Sequence, residues 1–236
     1  MRIKYNIITL LLLLNACHWQ HSSKPDLKQP LFETENTELS ELSDESSDWI
    51  RRHITQISKD AADLDTDILG LALASYKNAF DHGLTNSPIL SVVDFTKESK
   101  TPRLWVIDLS EDRVLFHELV AHGKNSGDHF FATRFSNSRG SRQSSLGLFL
   151  TGNSYIGSRG HSLKLHGLEK GVNDNALPRG IVFHGASYVS ETMAKERGHI
   201  GRSFGCLSLR PKITRELIDT IKGGSVVFAY HSVLEA

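Results

Sequence analysis

The spacing of apolar residues changes near residue 88, and this change limits the possible folds more than any other feature of the chain. Before it, apolar residues recur every three or four positions, which is the period of an amphipathic helix. Asp65 or Thr66 is the expected cap of a second helix. Two stripes therefore predict two helices: Ile50, Ile54, Ile57, Ala61 and Leu64 in the first, and Ile68, Leu71, Ala72, Ser75, Ala79 and Phe80 in the second.

Beyond residue 88, short apolar and β-branched runs bounded by turn residues predict strands. A further strand is expected to start near Cys206, and short helices at 188–197 and from Pro211 to Gly223. Residues 122–145 form a long polar loop, a length that is usual for functional loops. A mainly β fold with N-terminal helices and short peripheral helices is expected, with strands at 89–95, 103–109, 114–121, 146–151, 162–166, 181–184 and 225–230.

The N-terminus has the pattern of an export signal. Arg2 and Lys4 precede an apolar run at 7–14, which is too short to span a bilayer as a helix. The run ends in Leu14-Asn15-Ala16-Cys17, which resembles a bacterial lipobox with Cys17 as the lipid-bearing first residue of the mature chain. An ordinary signal peptide or a membrane anchor is the alternative interpretation.

The polar composition of residues 17–47 predicts a lipid-anchored, disordered linker. Fully extended, about 30 residues reach on the order of 100 Å. The predicted organisation is a signal peptide at 1–16, this linker at 17–47 and one catalytic domain at 48–236. Lys and Arg together number 27, as do Asp and Glu, so no overall basic field favours nucleic acid as a partner.

Two segments near the C-terminus have the residue types of a cysteine nucleophile and its base. His184-Gly185 ends an apolar run, and Ser203-Phe204-Gly205-Cys206 follows. A thiol needs a neighbouring base to become a thiolate, and histidine is the usual one. Gly205 allows unusual backbone dihedrals just before the cysteine and leaves N–H groups free to bind an oxyanion. From spacing alone, a buried, inert Cys206 remains an equal alternative.

Besides His184-Gly185 and Ser203-Phe204-Gly205-Cys206, the chain contains several further short motifs: Val93-Asp94-Phe95, His122-Gly123-Lys124-Asn125-Ser126-Gly127, Phe135-Ser136-Asn137, Ser144-Ser145-Leu146-Gly147, Ser162-Leu163-Lys164-Leu165, Gly167-Leu168-Glu169, Asn173-Asp174-Asn175 and Ser187-Tyr188-Val189-Ser190. Together, in this order along the chain, the motifs resemble the murein L,D-transpeptidase catalytic domain family, a branch of the L,D-transpeptidase superfamily. The resemblance covers roughly residues 68–231. It implies a β-rich catalytic domain and a cysteine acyl-enzyme without cofactor or metal. It further implies Cys206 as nucleophile, His184 as base, and Ser203 and Gly205 as the loop that shapes the site, with a backbone carbonyl of Gly185 or Ser203 orienting the imidazole.

The segment after Cys206 departs from the family. Leu207 stands where this branch usually has Pro, and Ser208 stands where the superfamily often has Arg. Arg202 or Arg210 is a candidate replacement as the partner of a substrate carboxylate.

The other candidate substrate-binding residues are Gly185, His122 and His166, because each lies in a motif of the family type. The 12 histidines also raise the alternative of a zinc hydrolase. No His-Glu-x-x-His or paired-cysteine spacing supports it, so surface or hydrogen-bonded histidines are the better interpretation.

Three functions follow as hypotheses. The leading one is acyl transfer on tetrapeptide stems of peptidoglycan, as an L,D-transpeptidase or, with water as acceptor, an L,D-carboxypeptidase. The alternative is a non-catalytic wall-binding lipoprotein that keeps the fold, and the zinc hydrolase is third. The expected location is the periplasm of a Gram-negative bacterium. The lipid would hold the protein in the outer membrane, since His18 rather than Asp follows Cys17.

The lipobox hypothesis predicts that Cys17→Ser blocks lipid attachment, because the thioether bond needs the thiol of Cys17. Metabolic labelling with a radioactive or alkyne-bearing fatty acid, together with membrane fractionation, measures the effect. The substituted protein is expected to carry no label and to leave the membrane fraction. Labelling equal to that of the unsubstituted protein would refute the hypothesis.

Overall fold

The computed structural model describes residues 44–234, in which two helices precede a β-rich region. Helices α1 (Asp44–Ile57) and α2 (Thr66–Asp81) come first. The expected mainly β fold with N-terminal and peripheral helices is confirmed. The later elements are β1 (Ile89–Asp94), β2 (Leu104–Asp108), β3 (Arg113–Glu118), β4 (Gly147–Gly157), β5 (Gly160–Gly167), β6 (Val182–Gly185), α3 (Glu191–Arg197), β7 (Leu207–Leu209), α4 (Pro211–Ile221), β8 (Val226–Tyr230) and a 3-10 turn (Ser232–Leu234).

Three boundaries differ clearly from the sequence prediction. Helix α1 ends at Ile57, so Ala61 and Leu64, which were predicted to belong to it, lie in the turn before α2, although both are buried. Helix α1 begins at Asp44, so residues 44–47, which were assigned to the linker, are helical. Strand β4 continues to Gly157, whereas the predicted strand ended at residue 151. The prediction stopped too early because an irregularity between Thr151 and Ser154 interrupts the alternation by which strands are recognised. The export signal, Cys17 and residues 18–43 of the predicted linker lie outside the described residues. Between residues 44 and 234, no helix is long and apolar enough to cross a membrane.

Local signals at helix starts agree with the structure. The Asp65 carboxylate caps α2 by accepting hydrogen bonds from the backbone N–H groups of Asp67 and Ile68. Pro211 occupies the first turn of α4, where its missing N–H costs nothing. These caps set where each helix leaves the sheet and therefore how it packs on it.

The strands form one curled, mixed sheet in the order β3-β2-β1-β8-β4-β5-β6-β7. The β1–β8 and β6–β7 pairs are parallel, and the other pairs are antiparallel. Just after β3, Ala121 bridges to Ser208 of β7 through a backbone hydrogen bond of 3.0 Å. This bridge brings the two ends of the sheet together, so the sheet curls round its interior.

Different helices cover the two faces of the sheet. On one face, Val106, Phe149 and Val227 pack with Leu217 and Ile221 of α4. The opposite face is covered by α1 and α2, whose residues Ile57, Leu69 and Leu73 join a core with Leu90, Val92, Trp105, Ile107, Leu148 and Phe228. Burial of these apolar side chains, at about 25 cal/mol per Å², is the main force that holds the layers together.

The face covered by α1 and α2 continues past them over β5, β6 and β7. Leu150 of β4 packs against the α1/α2 core and pairs in register with His166 of β5. Alternate residues of a strand share one face, so Ser162 lies on this face too, and its register partner is His184. The main strand contacts of α1 and α2 are with β1, β3 and β8, so the part of this face that β5, β6 and β7 form lies beyond the two helices.

A buried arginine links the sheet to the long loop after β3. The Arg103 side chain is fully buried, and its guanidinium donates to the carbonyls of Val120 (3.1 and 3.0 Å) and Lys97 (2.8 Å). It also donates to His122 Nδ1 at 2.9 Å, so Nε2 of His122 carries the proton and donates to the Asp128 carbonyl at 2.9 Å. The expectation that His122 lines a binding cleft is not met, because its ring is fully buried and both nitrogens bond within the protein.

We predict that His122 makes the protein less stable in acid. Burial, and then the charge of Arg103, lower the pKa of His122 from 6.5 to about 4. As the pH falls from about 6.5 to about 4, the unfolded chain binds a proton that the folded protein does not. Folding should lose about 3 kcal/mol over that interval. In His122→Asn the side chain cannot titrate, so its destabilisation relative to wild type should be clearly smaller at pH 4.5 than at pH 7.5.

Urea unfolding at several pH values measures both proteins. His166→Asn is the matched control, because that ring is exposed on β5 and its replacement should change the free energy of unfolding by less than about 0.5 kcal/mol. A difference between wild type and His122→Asn that stays constant with pH would contradict the prediction.

Candidate active site

His184 and Cys206 lie in neighbouring segments of the sheet. His184 belongs to β6 and pairs in register with Ser208 of β7, and Cys206 stands immediately before β7. The Arg159 guanidinium affects the pKa of both His184 and Cys206, so the two groups share one electrostatic neighbourhood. The two segments thus lie side by side as expected, and contact between the two side chains stays a prediction.

The imidazole of His184 is held at both nitrogens. Nδ1 lies 2.9 Å from the Gly185 carbonyl, which only accepts hydrogen bonds, so Nδ1 carries the proton. Nε2 therefore presents its lone pair, and Ser208 Oγ donates to it at 3.0 Å. Of the two carbonyls considered from the sequence, Gly185 is the one that orients the ring. Burial is the main reason that the pKa of His184 is lowered, so the ring is neutral at pH 7.

The Cys206 thiol has a separate set of neighbours. It donates to the Gly180 carbonyl at 3.5 Å, and the residue is partly exposed. Burial of the sulfur raises its pKa, and the Val182 N–H, followed by Arg159 and Arg179, act in the opposite direction. Within residues 44–234, Cys206 makes no hydrogen bond to His184. The Cys206 thiol and the His184 imidazole are thus two neutral groups with different hydrogen-bond partners.

Ser203 and Gly205 form the turn that presents Cys206. Ser203 Oγ accepts from the Gly205 N–H at 3.0 Å and donates to the Cys206 carbonyl at 2.7 Å. Gly205 has φ +118°, and a Cβ there would lie 2.7 Å from the Gln143 carbonyl oxygen. Only glycine fits this turn, for both conformational and steric reasons.

This turn is tied to the buried arginine through His122. The His122 carbonyl accepts from the Ser203 N–H at 2.9 Å, and the Lys124 N–H donates to the Ser203 carbonyl at 2.7 Å. Arg103, His122 and Ser203 therefore form one connected series of contacts from the sheet interior to the cysteine turn.

The predicted carboxylate partners are already engaged. Arg202 donates to the carbonyls of Lys124 (2.9 Å) and Gly127 (2.8 Å) and clamps the long loop. Arg210 forms a bidentate ion pair with Glu118, at 2.8 and 2.6 Å, and also contacts Glu191. Neither guanidinium is oriented towards the thiol by these contacts.

The remaining candidates have different surroundings. A Cβ on Gly185 would lie 2.9 Å from Thr214 Oγ1 of α4, so this glycine permits close packing while its carbonyl orients His184. His166 is exposed on β5 and packs against Gly152 of β4. In the register of the sheet it lies four residues from Ser162, which pairs with His184.

Sequence reasoning did not assign site roles to four nearby residues. Tyr188 donates to or accepts from Ser208 at 2.9 Å. Arg159 lies at the tip of the β4–β5 hairpin and makes no ion pair or hydrogen bond within residues 44–234. Arg179 donates to the Gln143 carbonyl at 2.6 Å and to Ser141 Oγ at 3.1 Å, and its charge reaches Cys206. The family-type segment at 187–190 and the departure at Ser208 were the available signals.

No group of three or more His, Cys, Asp or Glu side chains that could hold a metal ion occurs within the described residues.

Comparison with solved structures gives remote similarity. The L,D-transpeptidase from Mycobacterium smegmatis is 15% identical, with a TM-score of 0.39 over 61% of this chain and 59% of that chain. The helical cell shape determining protein Pgp2 from Campylobacter jejuni is 13% identical, with a TM-score of 0.43 over 62% of this chain and 48% of that chain. The L,D-transpeptidase from Stackebrandtia nassauensis is 14% identical, with a TM-score of 0.36 over 75% of this chain and 76% of that chain. This chain thus spans about half to three fifths of the length of the first two proteins.

Comparison with known sequences gives the family. No curated protein matches the chain. The family described as the L,D-transpeptidase catalytic domain matches residues 60–230, which is more than half of the chain and includes both segments of the site. The chain therefore belongs to the L,D-transpeptidase catalytic domain family.

Proposed function

We propose that this protein is a peptidoglycan L,D-transpeptidase or L,D-carboxypeptidase that acts on tetrapeptide stems through a Cys206 acyl-enzyme. The observation that carries the proposal is a partly exposed thiol immediately before β7, the strand that pairs with β6, where a histidine carries its proton on Nδ1 and has Nε2 as its acceptor nitrogen. The family to which the chain belongs supplies the class of substrate.

The first half-reaction breaks the bond before the terminal D-alanine. The proton of the Cys206 thiol passes to His184 Nε2, and the sulfur attacks the diaminopimelate carbonyl. D-alanine leaves with a proton from His184, and a thioester remains on Cys206. Because both groups are neutral at rest, the charged pair forms only as the reaction proceeds, and the Val182 N–H and Arg159 favour the thiolate.

The second half-reaction depends on the acceptor. An amine from a second stem gives a 3–3 cross-link, and water gives a tripeptide stem. An amine of a wall-linked protein as the acceptor would attach that protein to the stem. Attack of Cys206 on an existing stem–protein amide, with the protein amine as leaving group and water as acceptor, would release it. His184 removes the acceptor's proton in each case, so the same residues serve all of these outcomes.

Arg159 is the proposed partner of a substrate carboxylate. Stem peptides carry free carboxylates, and a guanidinium binds a carboxylate through two parallel hydrogen bonds. Arg202 and Arg210 have their own partners, whereas the exposed Arg159 acts electrostatically on Cys206, His184 and Tyr188 together. This role replaces the arginine that the family often has at position 208.

The N-terminal segment fits such a substrate as part of the same proposal. A lipid on Cys17 would anchor the protein, in the outer membrane, on the periplasmic side. A linker over 18–43 would then let the domain reach the wall at distances of up to on the order of 90 Å.

A non-catalytic wall-binding protein is the second candidate. The observation in its favour is that His184 Nε2 bonds to Ser208 and the Cys206 thiol bonds to Gly180, so the two catalytic groups do not contact each other at rest. The same experiment separates the two candidates.

The catalytic proposal predicts that Cys206→Ala abolishes both turnover of purified tetrapeptide stems and acylation by a carbapenem. His184→Ala should slow acylation by roughly 10²–10⁴-fold, the usual contribution of a general base. The double variant should be little worse than Cys206→Ala, because groups that act as a unit are not additive. Intact-protein mass spectrometry measures the carbapenem adduct, and product analysis measures turnover.

His82→Ala is the matched histidine control, because His82 is exposed at the end of α2, and wild-type rates are expected for it. Wild-type product from Cys206→Ala would eliminate the mechanism. No adduct and no product from the wild-type protein would favour the wall-binding candidate.

A further inference from the structure

A row of three hydrogen-bonded side chains ends at the base. Tyr188 Oη lies 2.9 Å from Ser208 Oγ, and Ser208 Oγ lies 3.0 Å from His184 Nε2. Ser208 is fully buried, His184 is nearly so, and Tyr188 is half-buried. These contacts lie on the side of His184 opposite its bond to Gly185, so the row completes the support of the ring.

The direction of each hydrogen bond follows from the donors and acceptors available. Since His184 Nδ1–H donates to the Gly185 carbonyl, Nε2 is an acceptor and the Ser208 hydroxyl must donate to it. Ser208 Oγ then has lone pairs that accept from the Tyr188 hydroxyl. Burial raises the pKa of Tyr188, so the phenol keeps its proton at neutral pH.

The row can reverse when the base takes up a proton. Both nitrogens of an imidazolium are donors, so a buried partner of Nε2 must then accept. If the Ser208 hydroxyl turns from Nε2 to donate to Tyr188 Oη, and the Tyr188 hydroxyl hydrogen turns away from Ser208, the Nε2 lone pair is free to take the thiol proton. The S–H bond breaks, the Nε2–H bond forms, and Ser208 Oγ is in place to accept from the new N–H. No other atom gains or loses a proton.

We propose that Ser208, oriented by Tyr188, is a positioning residue that releases the His184 lone pair to the Cys206 thiol and then accepts the hydrogen bond of the imidazolium. The inference rests on the proposed pairing of Cys206 with His184. Ser208 is not itself the nucleophile, because its side chain is fully buried, whereas Cys206 is partly exposed. The position that the superfamily often fills with arginine thus serves the base in this protein.

Alkylation of Cys206 by iodoacetamide tests the inference without any peptidoglycan substrate. Iodoacetamide reacts with the thiolate, so the pH dependence of the rate reports the ionisation of the thiol and imidazole as a coupled pair. The charged groups that face this pair are Arg159 and Arg179, and they are left in place. Peptide mapping of the full chain follows Cys206 separately from Cys17.

Ser208→Ala leaves a buried imidazolium N–H without an acceptor, which disfavours the charged pair. Alkylation at pH 7 should slow by roughly 10- to 100-fold, and the rise of rate with pH should move to higher pH. Tyr188→Phe should shift the pH profile of alkylation in the same direction but by less. Ser208→Thr, which keeps the hydroxyl, should restore the wild-type profile. Ser208→Ala combined with His184→Ala should react no more slowly than His184→Ala alone, because Ser208 acts through His184.

Ser162→Ala is the matched control. Ser162 is a buried serine on the other neighbour of His184 in the sheet, and its hydroxyl donates to the Gly160 carbonyl instead of the ring. Its pH profile should be that of wild type.

A wild-type pH profile in Ser208→Ala, or effects of Ser208→Ala and His184→Ala that multiply, would overturn the inference. If tetrapeptides are not turned over but the alkylation results hold, the proposed function fails and this inference stands. If turnover needs Cys206 and His184 but Ser208→Ala leaves both turnover and the alkylation profile unchanged, the proposed function stands and this inference fails. If Ser208→Ala does not fold, the Tyr188→Phe profile decides alone, and no shift there overturns the inference.

Discussion

The burial of the Arg103 guanidinium is the constraint on which the rest of the site depends. Moving a charged group into the interior is very costly unless its donors are all hydrogen-bonded. Burial lowers the pKa of Arg103 to about 9, and nearby Asp94 opposes the shift, so the side chain is still charged at pH 7. Its acceptors come from segments on both sides of β2 and β3, so the segment that follows β3 must close over it.

The closed loop is connected to the cysteine turn by contacts of His122. His122 accepts from Arg103 through its ring and from Ser203 through its carbonyl, so the loop after β3 and the turn before β7 share one residue. A second support lies on the other side, where Arg179 binds the 136–145 segment, against which Gly205 packs. The turn that carries Cys206 is thus held between two buried or half-buried arginines, which explains why an irregular segment presents a side chain reproducibly.

Local patterns predicted the helices, most strands and the cysteine–histidine pair, because each depends on short-range periodicity or on motif identity. The caps at Asp65 and Pro211 belong to the same class. The contacts of His184 could not be predicted in this way. They depend on the register between β6 and β7, two strands that are separated by more than 20 residues of loop and helix. The role of His122 was wrongly expected for a similar reason, since burial of its ring depends on a distant arginine.

Leu207 and Ser208, the two residues that depart from the family pattern, have different structural consequences in the register of β6 and β7. Leu207 pairs with Phe183 and is buried in the core beneath α4. Leucine in place of the usual proline therefore affects packing in the core and leaves the opposite face, which carries His184, unchanged. Ser208 pairs with His184 and points to the same face as the imidazole, so any residue at this position touches the base. The short hydroxyl of Ser208 reaches Nε2 of His184. In the function that we propose, recognition of the substrate carboxylate falls to Arg159 of the β4–β5 hairpin, whose charge acts on the thiol, the imidazole and Tyr188. On this proposal, serine at position 208 supports the His184 ring while the β4–β5 hairpin attracts the anionic substrate, so the two tasks lie on different parts of the sheet.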